Sequence, residues 1–181
     1  IIMLNRGLVA RAVACIAVVF ALAGCVLESS APLFSEEQGE LALKPLGTRF
    51  VGEAMENGQW KSDGAIGIFT ASGRHYVLSS EKDDKTTDLL FVPMGNARYV
   101  LQMQDDSRKG EPYVYLIADV ADGHAMLSIL DCDQLKKLGG LEESIAFDGS
   151  DCRVKGNPGL ALFSSLASQI APAKMRLTPV K

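Results

Sequence analysis

The sequence predicts an α+β fold that is mainly β: an antiparallel meander sheet or open barrel of seven to eight strands, with one or two C-terminal helices packed on it. Two observations lead to this prediction. Between residues 48 and 131, short apolar runs alternate with turn residues at the spacing that is typical of successive hairpins. After residue 131, the apolar residues change to helical spacing, which indicates that helices follow the strands.

The turns between the predicted strands contain Asn57-Gly58, Ser72-Gly73, Gly95-Asn96 and Asp122-Gly123. Asparagine, aspartate and glycine readily adopt the positive φ angles that tight hairpins need. The loop 105–112 is rich in charged residues, so we expect it to be exposed. The predicted strands are Thr48–Met55, Ala65–Thr70, Arg74–Ser80, Asp88–Val92, Arg98–Gln104, Tyr113–Ala121 and Ala125–Leu130.

The strand Tyr113–Ala121 shows how the sheet is expected to be covered. One of its faces is wholly apolar, whereas the other mixes aromatic and aliphatic residues with an aspartate. A sheet of this kind is covered fully on one side and partly on the other. The apolar face consists of Val114, Leu116, Ala118 and Val120, and the mixed face consists of Tyr113, Tyr115, Ile117 and Asp119.

Helical segments that could cover the mixed face follow the strands. Asp133–Leu138 predicts a short helix that Gly139-Gly140 ends. Asn157-Pro158 predicts the start of a second helix, with the asparagine as its cap. Met175–Thr178 predicts a final edge strand. The apolar stripe of the second helix consists of Leu160, Phe163, Leu166, Ala167 and Ile170.

The first 24 residues have the composition of a secretory signal. Arg6 and Arg11 are their only charged residues, and residues 12–22 are apolar. This apolar run is shorter than the roughly 20 residues that a helix needs to cross a bilayer. We therefore expect a cleaved signal and no transmembrane helix.

The apolar run ends in Leu22-Ala23-Gly24-Cys25, which resembles the lipobox of bacterial lipoproteins. The resemblance covers only this segment. It implies that Cys25 carries acyl chains, becomes the first residue of the mature protein and anchors it to a membrane. The residue directly after Cys25 is Val26 and not an aspartate, which resembles the pattern of lipoproteins sent to the outer membrane. We therefore expect a cell-envelope location, on the outer membrane facing the periplasm.

These observations divide the chain into a signal peptide, residues 1–24, a lipidated tether, residues 25–34, and one β-rich periplasmic domain, residues 35–181. Beyond the signal, 16 basic and 22 acidic side chains remain, a net charge of −6. This balance gives no electrostatic footprint for nucleic acid. Cys132 and Cys152 are the two cysteines that remain, and in an oxidising compartment we expect them to form a disulfide.

The sequence contains no G-x-S-x-G elbow, H-E-x-x-H pair, P-loop or dinucleotide-binding glycine motif. We assign no catalytic residue, cofactor or metal ligand. His75 and His124 could each act as a general base if one lay in a cleft beside a carboxylate or a serine. Aromatic side chains on a half-covered sheet could contact a ligand or partner. The candidates for such a face are Trp60, Tyr76, Tyr99, Tyr113 and Tyr115.

Three functions follow from these features. The first is a membrane-anchored, non-catalytic module that contacts an envelope protein or acts as an inhibitor. In gross architecture alone the chain is similar to small disulfide-bearing β lipoproteins, which include lysozyme inhibitors. The second is a carrier of a small apolar ligand inside an open barrel. The third is a periplasmic hydrolase that uses His75 or His124.

Overall fold

The structure is a computed structural model that describes residues 26–62, 64–81, 83–105, 110 and 112–181. The predicted signal peptide 1–24, the predicted lipidation site Cys25 and most of the charged loop 105–112 lie outside the described residues. Within these ranges, no helix is both long and apolar enough to span a membrane.

The described residues form strands and two α-helices in an order that confirms the predicted α+β class. A 3-10 turn at Glu36–Gln38 follows Ser35. The helices are α1 (Cys132–Leu138) and α2 (Gly159–Ala167). The strands are β1 (Glu28–Ser29), β2 (Arg49–Glu56), β3 (Gln59–Lys61), β4 (Ile66–Ser72), β5 (His75–Ser80), β6 (Asp83–Gly95), β7 (Arg98–Asp105), β8 (Tyr113–Ala121), β9 (His124–Ile129), β10 (Ile145–Asp148), β11 (Asp151–Val154) and β12 (Met175–Pro179).

Eight antiparallel strands close into a barrel in the order β2, β4, β5, β6, β7, β8, β9, β12 and back to β2. The meander predicted from the hairpin turns is therefore present, and the barrel is closed rather than open. The predicted edge strand at Met175–Thr178 is wrong in its position, because β12 lies between β2 and β9 and pairs with both. Because the barrel is closed, both edges of β12 are hydrogen-bonded to neighbouring strands.

Aromatic side chains fill the interior of the barrel. Phe50, Phe69, Tyr76, Phe91 and Tyr99 form an edge-to-face series in which neighbouring ring centroids lie 5.1, 6.2, 5.9 and 6.0 Å apart. Each such ring pair contributes about 0.5–1.5 kcal/mol beyond the area that it buries. These rings occupy the space that an apolar ligand would need, which argues against the carrier hypothesis.

A second core lies outside the barrel, between the outer face of β6–β8 and the C-terminal elements. Tyr115 and Ile117 on β8 point into it, as the mixed face predicts. Phe163 of α2 packs on Tyr115 with ring centroids 5.3 Å apart. The predicted disulfide between Cys132 and Cys152 is confirmed, and it ties the start of α1 to β11 within this core. Both described α-helices contribute side chains to this second core.

The segment predicted as a tether is folded instead. Val26 and Leu27 are 5% and 0% exposed, and Phe34 is 3% exposed. These apolar side chains have barrel surface to cover, and that burial favours a packed segment over a free linker. We call residues 26–40 the strap, because they run along the outer wall of the barrel. Residues 41–46 form a plug, in which the fully buried Leu43 enters the interior core.

Candidate functional site

A buried glutamine on the outer wall fastens the strap to the barrel. Gln102 lies on β7 and is 5% exposed. Its Oε1 accepts hydrogen bonds from the backbone N–H of Leu33 at 2.9 Å and of Phe34 at 3.1 Å, and its Nε2 donates to the carbonyl of Phe34 at 3.1 Å. The amide thus pairs with backbone groups that would otherwise be buried without partners, which is the condition for burying them at low cost.

The hydroxyl of Tyr115 extends this polar network. It donates to Gln102 Oε1 at 3.2 Å, accepts from the N–H of Leu33 at 3.2 Å and lies 2.6 Å from the hydroxyl of Ser29. Burial raises the pKa of Tyr115 to about 12, so the phenol stays protonated and remains a donor at neutral pH. The network therefore holds the strap at two places, Ser29 and residues 33–34.

Farther along, the strap approaches the wall so closely that it needs a glycine. A Cβ atom at Gly39 would collide with the side chain of Leu90 and the carbonyl of Arg74. Beyond this point, the backbone N–H of Glu40 donates to the carbonyl of Phe91 at 2.8 Å. The strap is thus attached along its length, from β8 to β5.

A groove of about 290 Å³ lies between the strap and strands β5–β8, and it is the candidate functional site. One wall is formed by the strap, and the other by residues of strands β5–β8. Among the described residues that line it, Glu36 and Asp88 are acidic and His75 is a histidine. Its lining consists of Pro32, Phe34, Glu36, His75, Asp88, Leu89, Leu90, Gln102, Gln104 and Tyr113.

The best-defined polar contact in the groove joins Glu36 to β5. Its Oε1 accepts from the backbone N–H of Arg74 at 3.1 Å and lies 3.2 Å from Nδ1 of His75. These hydrogen bonds hold the pKa of Glu36 below its usual range. The bond from the backbone of Arg74 has the larger effect, and the bond to His75 has the next largest. Glu36 is therefore ionised at neutral pH, and the groove favours a ligand with cationic or hydrogen-bond-donating groups.

His124 lies in a different place, at the start of β9. Its Nδ1 is 3.2 Å from the hydroxyl of Thr178, which donates to Oε2 of Glu53 at 2.5 Å. Arg176 binds the same carboxylate through two nitrogens at 2.6 and 3.2 Å. The Arg176 guanidinium is the main cause that lowers the pKa of Glu53. This cluster is a cross-strand ion pair with its hydrogen bonds satisfied.

The two histidines are far apart. His75 on β5 and His124 on β9 are separated by three strands of the barrel, which corresponds to roughly 20 Å around the wall at the usual strand spacing. They cannot act on one substrate bond. His75 does meet the geometric condition set for a general base, because it lies in a groove beside a carboxylate.

The five aromatic residues predicted as one contact face do not lie together. Tyr76 and Tyr99 point into the barrel, where the hydroxyl of Tyr76 accepts from the plug at Leu43. Tyr115 is fully buried under α2. Trp60 lies on β3 beneath Arg176, with the guanidinium carbon 4.5 Å from the ring centroid. Tyr113 alone lines the groove.

Sequence reasoning missed most of the groove. Gln102 and Gln104 alternate with apolar residues on β7, the strand that pairs with the one on which the mixed face is predicted. Nothing in this pattern shows that the strap covers the mixed face, because the sequence predicts a tether at residues 25–34. The signal in the sequence is the pair of large apolar residues Leu33 and Phe34, because residues of this kind are usually buried and would be unfavourable in an exposed tether.

Within the described ranges, no group of three or more His, Cys, Asp or Glu side chains is placed to hold a metal ion. The chain matches no protein-family model, and no curated protein or solved structure matches it either.

Replacing Gln102 by leucine tests the polar network. We expect Gln102→Leu to lower the free energy of unfolding by roughly 2–5 kcal/mol, because the N–H and the carbonyl of Phe34 lose their partner and each unpaired buried group costs about 1–3 kcal/mol. The N–H of Leu33 keeps its hydrogen bond to the hydroxyl of Tyr115. Urea unfolding followed by circular dichroism measures it. Gln59→Leu, at an exposed position on β3, is the matched control and should change stability by less than about 0.5 kcal/mol. Equal effects of the two variants would contradict the assigned role of Gln102.

Proposed function

We propose that the chain is a membrane-anchored envelope lipoprotein whose barrel is a non-catalytic protein-interaction module. The observation that carries the anchor is the motif Leu22-Ala23-Gly24-Cys25, placed directly after an apolar run and directly before the strap. Two or three acyl chains on one residue hold a protein on a bilayer durably, because each buried methylene contributes about 0.8 kcal/mol. The confirmed disulfide supports an oxidising compartment.

The groove between the strap and β5–β8 supports the interaction role. It is open, Glu36 supplies an ionised carboxylate, and Tyr113 and Phe34 supply aromatic surface. This chemistry suits a protein segment that carries lysine or arginine next to apolar residues. An inhibitor-like mode of action, in which the partner is an enzyme, is one form of this proposal.

A hydrolase is the second candidate, and the observation in its favour is His75 beside Glu36 in the groove. Among the described residues, the lining contains no serine, threonine or cysteine that could act as the nucleophile. Such an enzyme would have to use His75 to activate water. The non-catalytic role requires no such assumption, and we favour it.

The anchor is tested by the native protein and the variant Cys25→Ser, both expressed in a Gram-negative host. We expect mass spectrometry to find acyl chains on Cys25 and loss of residues 1–24, and we expect the protein to fractionate with membranes. Cys25→Ser should abolish acylation and leave the chain uncleaved or soluble. An unmodified Cys25 thiol in the native protein would refute the anchor.

The groove is tested with a partner captured by the native protein from detergent-solubilised envelope and then purified. We expect the double variant Glu36→Gln, Asp88→Asn to weaken binding at least tenfold at low salt, since it removes both carboxylates from the groove. Asp148→Asn, Asp151→Asn makes the same charge change on β10 and β11, outside the groove, and should leave binding unchanged.

Equal weakening by both double variants would show a general charge effect and contradict the groove as the binding site. Turnover of an envelope substrate by the native protein, lost in His75→Gln while the melting temperature is retained, would establish the hydrolase instead.

A further inference from the structure

We propose that the end of the barrel that carries Val26, Lys174 and the β2–β3 hairpin rests directly on the phospholipid bilayer. The inference depends on the proposed lipidation of Cys25. It goes further, because it assigns one surface of the domain to the membrane and fixes the orientation of the groove relative to it.

The first step is that the folded domain begins one residue after the proposed anchor. Val26 forms a β-bridge with Asp131 and is 5% exposed. The backbone N–H of Leu27 donates to the carbonyl of Leu130 at 2.9 Å, and its carbonyl accepts from the N–H of Tyr115 at 3.1 Å. Acyl chains on the preceding residue would leave no length of free chain between the bilayer and the barrel.

The second step identifies the surface around Val26. A cavity of about 190 Å³ joins this residue to Asp131 and to the chain that enters β12, at Pro172 and Lys174. These residues belong to one end of the barrel, where β9 ends and β12 begins. A headgroup layer that reaches Val26 also reaches this end.

The third step is that the β2–β3 hairpin lies at the same end of the barrel as Lys174. The carbonyl of Lys174 accepts a hydrogen bond from the N–H of Met55 at 2.8 Å, and Met55 pairs with Trp60 across β2 and β3. Trp60 and Met55 are half-buried, and Lys61 and Lys174 beside them are exposed. Tryptophan flanked by lysine is favoured at the membrane–water interface, where its ring lies at the level of the headgroups.

The experiment uses the single tryptophan of the chain, Trp60, as its probe. The full-length acylated protein is reconstituted into phosphatidylcholine vesicles with and without brominated acyl chains. We expect the bromine-containing vesicles to quench Trp60 emission at least twofold. In Trp60→Phe, Ser72→Trp, the probe lies at the opposite end of the barrel on β4, and we expect quenching of less than a tenth.

A spacer variant distinguishes direct contact of this end of the barrel with the bilayer from attachment of the protein to the vesicle through Cys25 alone. Inserting 12 Gly/Ser residues between Cys25 and Val26 adds a flexible reach of roughly 20 Å. Vesicle binding should persist, whereas Trp60 quenching should fall to the level of the Ser72 probe. The mass spectra that test acylation of Cys25 also show which of the two proposals, the anchor or the orientation of the barrel, is wrong if Trp60 is not quenched. If Cys25 is unmodified, the anchor itself is wrong. If Cys25 is acylated and Trp60 is quenched no more than the Ser72 probe, the anchor stands and this orientation is wrong.

Discussion

The buried side-chain amide of Gln102 is the contact on which the arrangement of the N-terminal half depends. It pairs with the backbone of Leu33 and Phe34 and accepts from Tyr115, so the strap can lie in an apolar layer without leaving peptide groups unpaired. With the strap held there, Glu36 reaches the start of β5 and the plug enters the barrel. The groove exists only because the strap forms one of its walls.

The barrel wall serves two cores at once. Its inner face closes around an edge-to-face series of aromatic rings, and the outer face of β6–β8 packs under the strap, the disulfide and α2. The outer face of β2, β12 and β9 is stabilised differently, by a cross-strand ion pair between Glu53 and Arg176. The covered side of the wall therefore carries the groove.

Much of the fold could be predicted from local chemistry. Asn-Gly and Asp-Gly turns located the hairpins, and the two faces of Tyr113–Ala121 correctly assigned Leu116 to one core and Tyr115 to the other. Barrel closure by β12, the short strands β1, β3, β10 and β11, and the packing of the strap were not predicted. Each depends on pairing between distant parts of the chain, and Val26–Pro32 lacks any periodicity that would reveal such a partner. The prediction of a shared aromatic face was wrong, because residue type alone does not show on which side of a strand a ring lies.

The chain is folded onto the barrel from residue 26 onward, and this packing joins the proposed anchor rigidly to the groove. Hydrogen–deuterium exchange of the purified full-length protein in detergent tests this packing. We expect the amides of Leu27, Leu33 and Phe34 to exchange at least about a thousandfold more slowly than in an unstructured chain, as the amides of β7 do. Exchange of these three amides at the unstructured rate, with β7 still protected, would show that the segment is a free tether.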